Sequence, residues 1–214
     1  MMTAPIDVLS DLTPVIDEHA LYRYLGYPEG KMPEGRVVDV LRKQEEHLPD
    51  LLEPCAVYAH VAGRACFDRG FVLHDREVAL CVATIGGKLE AKAAGYAAQG
   101  DVLAAFVLDT LGSVYAEGTA EAAYRKLAEA AQHEGLELGC RISPGYGTWT
   151  LSYQSAIFDL LPAHHIGVRL TSGLMMVPRK SVSFAAERSV DPVRLREGEQ
   201  CACCQMQNCR YRHA

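Results

Sequence analysis

The hydrophobic and polar positions of this chain follow two spacings, one typical of helices and one typical of strands. Apolar residues three or four positions apart, mixed with strong helix formers, predict helices, and short apolar runs bounded by turn residues predict strands. Because helices and strands come in runs rather than in strict alternation, the order predicts an α+β fold, a single domain with a mixed or antiparallel sheet flanked by helices. The predicted helices are 17–24, 35–52, 101–133 (which Gly118 could interrupt), 153–161 and one that starts after Gly86-Gly87; the predicted strands are 56–61, 70–73, 78–85, 136–142, 166–171, 174–177 and 181–184.

The composition is that of an ordinary globular domain. The chain has 214 residues, of which 49% are hydrophobic and 22% charged, so it can bury a core without disulfides. A formal net charge of −6 argues against a nucleic-acid partner, which would need a basic surface. The sequence has no apolar run near the roughly 20 residues of a membrane span and no signal-peptide layout at its start. We therefore expect a cytoplasmic protein with no membrane partner.

The eight cysteines divide into two groups. In a reducing cytoplasm they are expected to be thiols or metal ligands rather than disulfides. Four lie in apolar segments and are expected in the core, and the other four crowd into the last 14 residues. This asymmetry predicts a main domain at 1–190 and a Cys-rich, metal-binding tail at 191–214.

The tail has the spacing C-x2-C-x4-C at Cys201, Cys204 and Cys209, and His213 follows. Adjacent cysteines rarely bind one ion together, which makes Cys203 the spare thiol. Four ligands of this kind suit a structural zinc ion, whereas three thiolates with a ligand from elsewhere suit a [4Fe–4S] cluster. A tail of this length cannot bury its own core, so a metal would supply the ordering free energy. A tail with unliganded thiols is the alternative.

Three further segments of the sequence carry recognisable residue patterns. The first has Thr-Ile-Gly at 84–86, followed by Asp109, a Gly-Ser pair and Glu117. The second reads Arg-Ile-Ser-Pro-Gly-Tyr at 141–146, and the third runs through Leu-Thr, Met-Val-Pro and Ser-Val-Ser between 170 and 183. In this order and spacing, the three segments resemble the activation domain of vitamin B12-dependent methionine synthase.

The resemblance implies a site for S-adenosylmethionine. The guanidinium of Arg141 can hold the carboxylate of this cofactor through two parallel hydrogen bonds. The turn at 144–146 can bring backbone groups close to the ligand, and Tyr146 offers an aromatic face to the adenine or the sulfonium. The carboxylates of Asp109 and Glu117 would face the cationic end of the cofactor. The implied cofactor-binding residues are Arg141, Pro144, Gly145, Tyr146, Asp109 and Glu117, and no catalytic residue is implied.

The resemblance also implies a function within a methyltransferase system. We expect a stand-alone activation subunit for a cobalamin-dependent methionine synthase or related corrinoid methyltransferase. It would bind S-adenosylmethionine for the reductive methylation of inactive cob(II)alamin on that partner, with an electron donor such as flavodoxin or ferredoxin. The alternative is a non-catalytic docking or assembly factor for a corrinoid protein, which need not bind S-adenosylmethionine.

Overall fold

A computed structural model describes residues 6–28, 30–63, 76–146 and 149–192 of the chain. A 3-10 turn, Ala163–Ile166, follows the last helix. Within the described ranges the helices are α1 (Glu18–Tyr24), α2 (Arg36–Glu45), α3 (Leu48–Leu51), α4 (Lys88–Ala98), α5 (Val102–His133) and α6 (Tyr153–Leu160), and the strands are β1 (Ile6–Leu9), β2 (Cys55–Ala62), β3 (Glu77–Thr84), β4 (Glu137–Leu138), β5 (Arg169–Leu170), β6 (Met176–Val177) and β7 (Ser181–Ser189).

Two of the helices begin at aspartates that cap their first turn. The Asp17 side chain accepts a hydrogen bond from the backbone N–H of Ala20 at 3.0 Å, and Asp101 accepts one from Ala104 at 3.2 Å. Each cap satisfies a backbone N–H that has no partner within its helix. These caps explain why α1 and α5 begin within a residue of their predicted starts.

An antiparallel sheet forms the centre of the fold. Its strand order in the described residues is β1-β2-β3-β7-β4, and every neighbouring pair is antiparallel. β3 is buried from its second residue to its last, because helices cover both faces of the sheet. β1 lies at the edge and is largely exposed. The predicted α+β class, with its antiparallel sheet, is confirmed.

The two faces of the sheet pack against different layers. On β3 the bulky residues Val78, Leu80 and Val82 face α6, whereas the small residues at 79, 81 and 83 face α5. Small side chains let the long helix approach the sheet closely. A third cluster joins α1, α2, α4 and the first half of α5 beyond the end of the sheet.

α5 continues through Gly118 without a break, contrary to the interruption considered for it. The chain before α1 crosses the helix there, and the backbone N–H of Val15 donates to the Gly118 carbonyl at 3.0 Å. A Cβ at position 118 would lie 2.4 Å from the Val15 carbonyl oxygen. Glycine at this position therefore makes room for a crossing backbone and does not end the helix.

β7 extends to Ser189, five residues beyond its predicted end at Phe184. The added residues include buried charges, and each has an ionic partner: Arg188 pairs with Glu77 and Glu134, and the Glu187 carboxylate pairs with an arginine at 76. Paired charges can remain in a buried strand, whereas unpaired ones would be costly. The hydrogen bond from Arg188 lowers the pKa of Glu134.

Other predicted boundaries were wrong for local reasons. The predicted helix 35–52 is divided into α2 and α3, and Pro49, which lacks an N–H, lies in the first turn of α3. The predicted strand 166–171 is reduced to β5, because the 3-10 turn ends at Gly167 with φ +71°. The predicted strand 70–73 lies outside the described residues. Among the helices described, none has the combination of length and apolar character that a bilayer span requires.

Candidate functional site

The segment between β4 and the 141–146 motif contains an extra residue relative to β7. Leu138 pairs with Arg188, but Ile142 pairs with Ala185. Four residue steps in this segment therefore oppose three in β7, and one extra residue on one strand defines a β-bulge. Between the two pairs, the Gly139 N–H donates to a β7 carbonyl at 2.8 Å.

The bulge changes the face of the sheet to which Arg141 points. In a regular strand, residues an even number of positions apart share a face, so Leu138 and Ile142 would lie together. Instead Leu138 packs in the cluster under α5, whereas Ile142 packs in the cluster under α6. The extra residue thereby directs Arg141 toward α5, where its contacts are.

Arg141 is held from two directions. Its Nη2 lies 3.1 Å from Glu117 Oε2 on α5, and its Cζ lies 5.5 Å from the centre of the Phe184 ring. The Arg141 side chain is 25% exposed and that of Glu117 is 46% exposed, so the pair is open to solvent on one side. Beneath it lies Cys81, the register partner of Phe184; burial raises the pKa of this thiol, and the charge of Arg141 opposes that shift.

The Pro-Gly-Tyr turn lies directly after the bulge. Gly145 has φ +92°, a conformation that favours glycine, and its N–H donates to the Trp149 carbonyl at 2.7 Å. Pro144 is buried, whereas Tyr146 is 55% exposed. Trp149 is buried and stacks on the ring of a tyrosine at the start of α6, with centroids 5.6 Å apart. The turn is thus anchored on one side and presents Tyr146 on the other.

Asp109 and Glu117 lie on one face of α5, as their spacing predicts, but they contact different cations. Eight residues correspond to about 12 Å along a helix axis. Asp109 lies 2.9 Å from Lys180 Nζ, which also donates to Ser113 Oγ at 2.9 Å. The structure therefore brings Glu117 to Arg141 and places Asp109 in a second cluster.

The Asp109 cluster joins the first and third motif segments. The Ile85 N–H donates to the Lys180 carbonyl at 3.2 Å, and Ser181 Oγ donates to Thr84 Oγ1 at 2.8 Å. The Gly86 N–H donates to the same Thr84 oxygen at 3.1 Å. These contacts fix the end of β3 against the start of β7, and Lys180 ties both to α5.

Two contacting residues, Phe184 and Lys180, are not among the expected site residues. Lys180 is a charged residue just before an apolar strand, and its side chain is only 9% exposed. A lysine in such a position was a signal for a buried ion pair. Phe184 looks like any core aromatic, and its place under Arg141 follows only from the bulge.

The expected metal ligands Cys201, Cys204, Cys209 and His213 lie outside the described residues. Within the described ranges, no group of three or more His, Cys, Asp or Glu side chains could hold a metal ion.

These features define an α+β domain whose candidate site is an arginine and an exposed turn at the edge of an antiparallel sheet. The profile of the family described as the vitamin B12 dependent methionine synthase activation domain matches residues 39–189, so the chain belongs to this family. In structure it is similar to the MetH reactivation domain bound to AdoHcy. That match has a TM-score of 0.64 and 16% sequence identity, and it covers 90% of this chain and 81% of the other. No curated protein sequence matches the chain.

Proposed function

We propose that this domain binds S-adenosylmethionine beside Arg141 and supports the reductive methylation of inactive cob(II)alamin carried by a separate corrinoid protein. Family membership supports the activation role. The similar MetH domain was solved with AdoHcy, the demethylated form of this cofactor. The geometry around Arg141 supports the placement of the ligand.

The observation that carries the proposal is the bulge that turns Arg141 toward Glu117. A guanidinium has five N–H donors, and the ion pair with Glu117 uses one side of it. The Arg141 side chain is 25% exposed, and a guanidinium can hold a ligand carboxylate through two parallel hydrogen bonds. Glu117 is itself about half exposed and offers an anion to the neighbouring ammonium of an amino acid. The pair thus suits the zwitterionic end of S-adenosylmethionine.

The turn after Arg141 suits the other end of the ligand. Gly145 brings no side chain, so a ligand can approach its backbone. The exposed ring of Tyr146 can cover an adenine or stabilise the sulfonium by a cation–π contact. Pro144, which is buried, fixes the turn. Asp109 is proposed to support the site through Lys180, because its carboxylate is already held there.

The role of these residues is to bind and orient rather than to transfer protons. Bound S-adenosylmethionine would supply the methyl group from its sulfonium and leave as S-adenosylhomocysteine. The acceptor would be the partner's cobalt, reduced by one electron from a donor such as flavodoxin or ferredoxin. Arg141 and Glu117 would fix the amino-acid end of the ligand. Tyr146 would fix the nucleoside or the sulfonium, leaving the methyl group directed outward to the partner.

Calorimetric titration of S-adenosylmethionine into the anaerobically purified protein tests the proposal. We expect saturable binding that Arg141→Ala weakens about 10- to 100-fold, the range for a lost hydrogen bond to a charged group. Arg125→Ala is the matched control, because Arg125 forms an exposed ion pair with Glu121 on α5 and lies outside the site. A folded wild-type protein that binds no S-adenosylmethionine would overturn the proposal and favour the docking factor.

The tail is proposed as a separate element. We propose that residues 191–214 form a metal-binding appendage to a main domain at 1–190, with Cys201, Cys204, Cys209 and His213 as ligands. Metal content and labile sulfide, both measured under anaerobic conditions, distinguish zinc from an iron–sulfur cluster. A protein that contains neither zinc nor iron would contradict the metal assignment.

A further inference from the structure

Tyr124 on α5 contacts the bulge that carries Arg141. It lies seven residues after Glu117, which places the two side chains on one face of the helix two turns apart. Its hydroxyl oxygen lies 2.9 Å from the Gly139 carbonyl oxygen and 3.2 Å from that of Leu138. The hydroxyl donates one proton to these two acceptors.

The bulge needs a donor at this point. An extra residue interrupts the ladder of a β-sheet, and backbone groups there lose their regular partners. Buried backbone groups without partners are costly, so a hydroxyl aimed at these carbonyls stabilises the bulge over a regular strand. Gly139 and Leu138 are the two residues at which the bulge begins.

The ring of Tyr124 also contacts Phe184, the aromatic ring beneath the Arg141 guanidinium. It meets the Phe184 ring edge-on, with centroids 6.4 Å apart and an interplanar angle of 65°. Phe184 is fully buried, and the Arg141 guanidinium lies over its ring. Tyr124 therefore touches both the backbone that leads to Arg141 and the ring on which the guanidinium rests.

We propose that Tyr124 is a positioning residue for Arg141: its hydroxyl holds the bulge in the conformation that aims the guanidinium at the ligand carboxylate. α5 then fixes the arginine at two points, through Glu117 at the guanidinium and through Tyr124 at the backbone. This inference rests on the proposed function, because it assigns Tyr124 an effect on S-adenosylmethionine binding.

The test compares two ligands in wild-type protein and in Tyr124→Phe, which loses only the hydroxyl. Decarboxylated S-adenosylmethionine lacks the group that Arg141 would bind. We expect Tyr124→Phe to weaken S-adenosylmethionine binding about 3- to 10-fold, the range for one hydrogen bond. Its Kd for the decarboxylated ligand should not change. Tyr115→Phe, which removes a hydroxyl elsewhere on α5, should alter neither value.

The outcomes separate this inference from the proposed function. If the wild-type protein binds no S-adenosylmethionine, the proposed function fails. If binding depends on Arg141 but Tyr124→Phe keeps wild-type affinity, or loses affinity for both ligands equally, the positioning role is overturned. Hydrogen exchange gives a test without any variant: the amides of Gly139 and Ile142, which donate to β7 carbonyls on either side of the bulge, should be protected in the ligand-free wild type, and rapid exchange there would also overturn it.

Discussion

Replacing Gly118 by alanine should destabilise the protein, although alanine is the better helix former. The new Cβ would lie 2.4 Å from the Val15 carbonyl oxygen and 3.0 Å from the Val15 carbonyl carbon. Both are backbone atoms, so the crossing segment must move. Overpacking of this kind costs about 1–3 kcal/mol. Loss of the hydrogen bond between Val15 and Gly118 destabilises the protein by about 1 kcal/mol more. The higher helix propensity of alanine offsets about 1 kcal/mol of this destabilisation. The net expectation is a loss of about 1–3 kcal/mol.

Urea unfolding followed by circular dichroism measures this loss, with Gly95→Ala as the control. Gly95 lies inside α4, and a Cβ there would meet nothing within 4 Å. Alanine should therefore stabilise that helix by about 0.5–1 kcal/mol. If alanine lowers the free energy of unfolding at Gly118 and raises it at Gly95, the crossing backbone at Gly118 decides the outcome. A Gly118→Ala protein as stable as wild type would refute this reasoning.

Further predictions concern the polar clusters and the tail. Asp109→Ala should cost about 1–2 kcal/mol in urea unfolding, because it leaves the ammonium of Lys180 largely buried without its carboxylate, while the exposure of Asp109 limits the loss. Cys201→Ser should lower the metal content of the purified protein, and Cys203→Ser should not; equal effects would contradict the ligand assignment. Since the folded-state pKa of Glu134 is lowered, its contribution is present above the unfolded pKa and is lost as the pH falls through the folded one. Glu134→Gln should therefore flatten the acid side of the stability profile, below about pH 4.5, and an unchanged slope there would argue against it.

The parts of the fold that follow from the sequence depend on local signals. Aspartate caps mark the starts of α1 and α5, and an unbroken apolar run marks β3 as a strand buried on both faces. β1, by contrast, has only four residues, Ile-Asp-Val-Leu, and is mostly exposed, so its apolar pattern is too short to predict a strand. It is a strand because β2 offers it an edge with which to pair. Such pairing depends on the tertiary arrangement as well as on the segment's own residues.

The sequence identifies the motif that contains Arg141 but not the geometry around that arginine. The 141–146 motif identifies Arg141 from the sequence, yet alternation within the predicted strand 136–142 would place that arginine on the same face as Gly139, away from α5. The bulge that redirects it depends on the register between β7 and a segment more than 40 residues earlier. No local pattern reports such a register. The contacts of Phe184 with Arg141 and of Tyr124 with the bulge could not be predicted for the same reason, because both depend on this register.

The row of contacts on α5 shows why sharing a helix face does not mean sharing a site. Asp109, Glu117 and Tyr124 are spaced by eight and seven residues, so they lie along one stripe about 10–12 Å apart. Each contacts a different point: Lys180 at the start of β7, the Arg141 guanidinium, and the bulge. The continuous helix sets the distances between these points. Gly118 follows Glu117 in the sequence and makes room on α5 for the crossing chain. A substitution that displaces the helix there should weaken ligand binding as well as folding, whereas Gly95→Ala on α4 should leave binding unchanged.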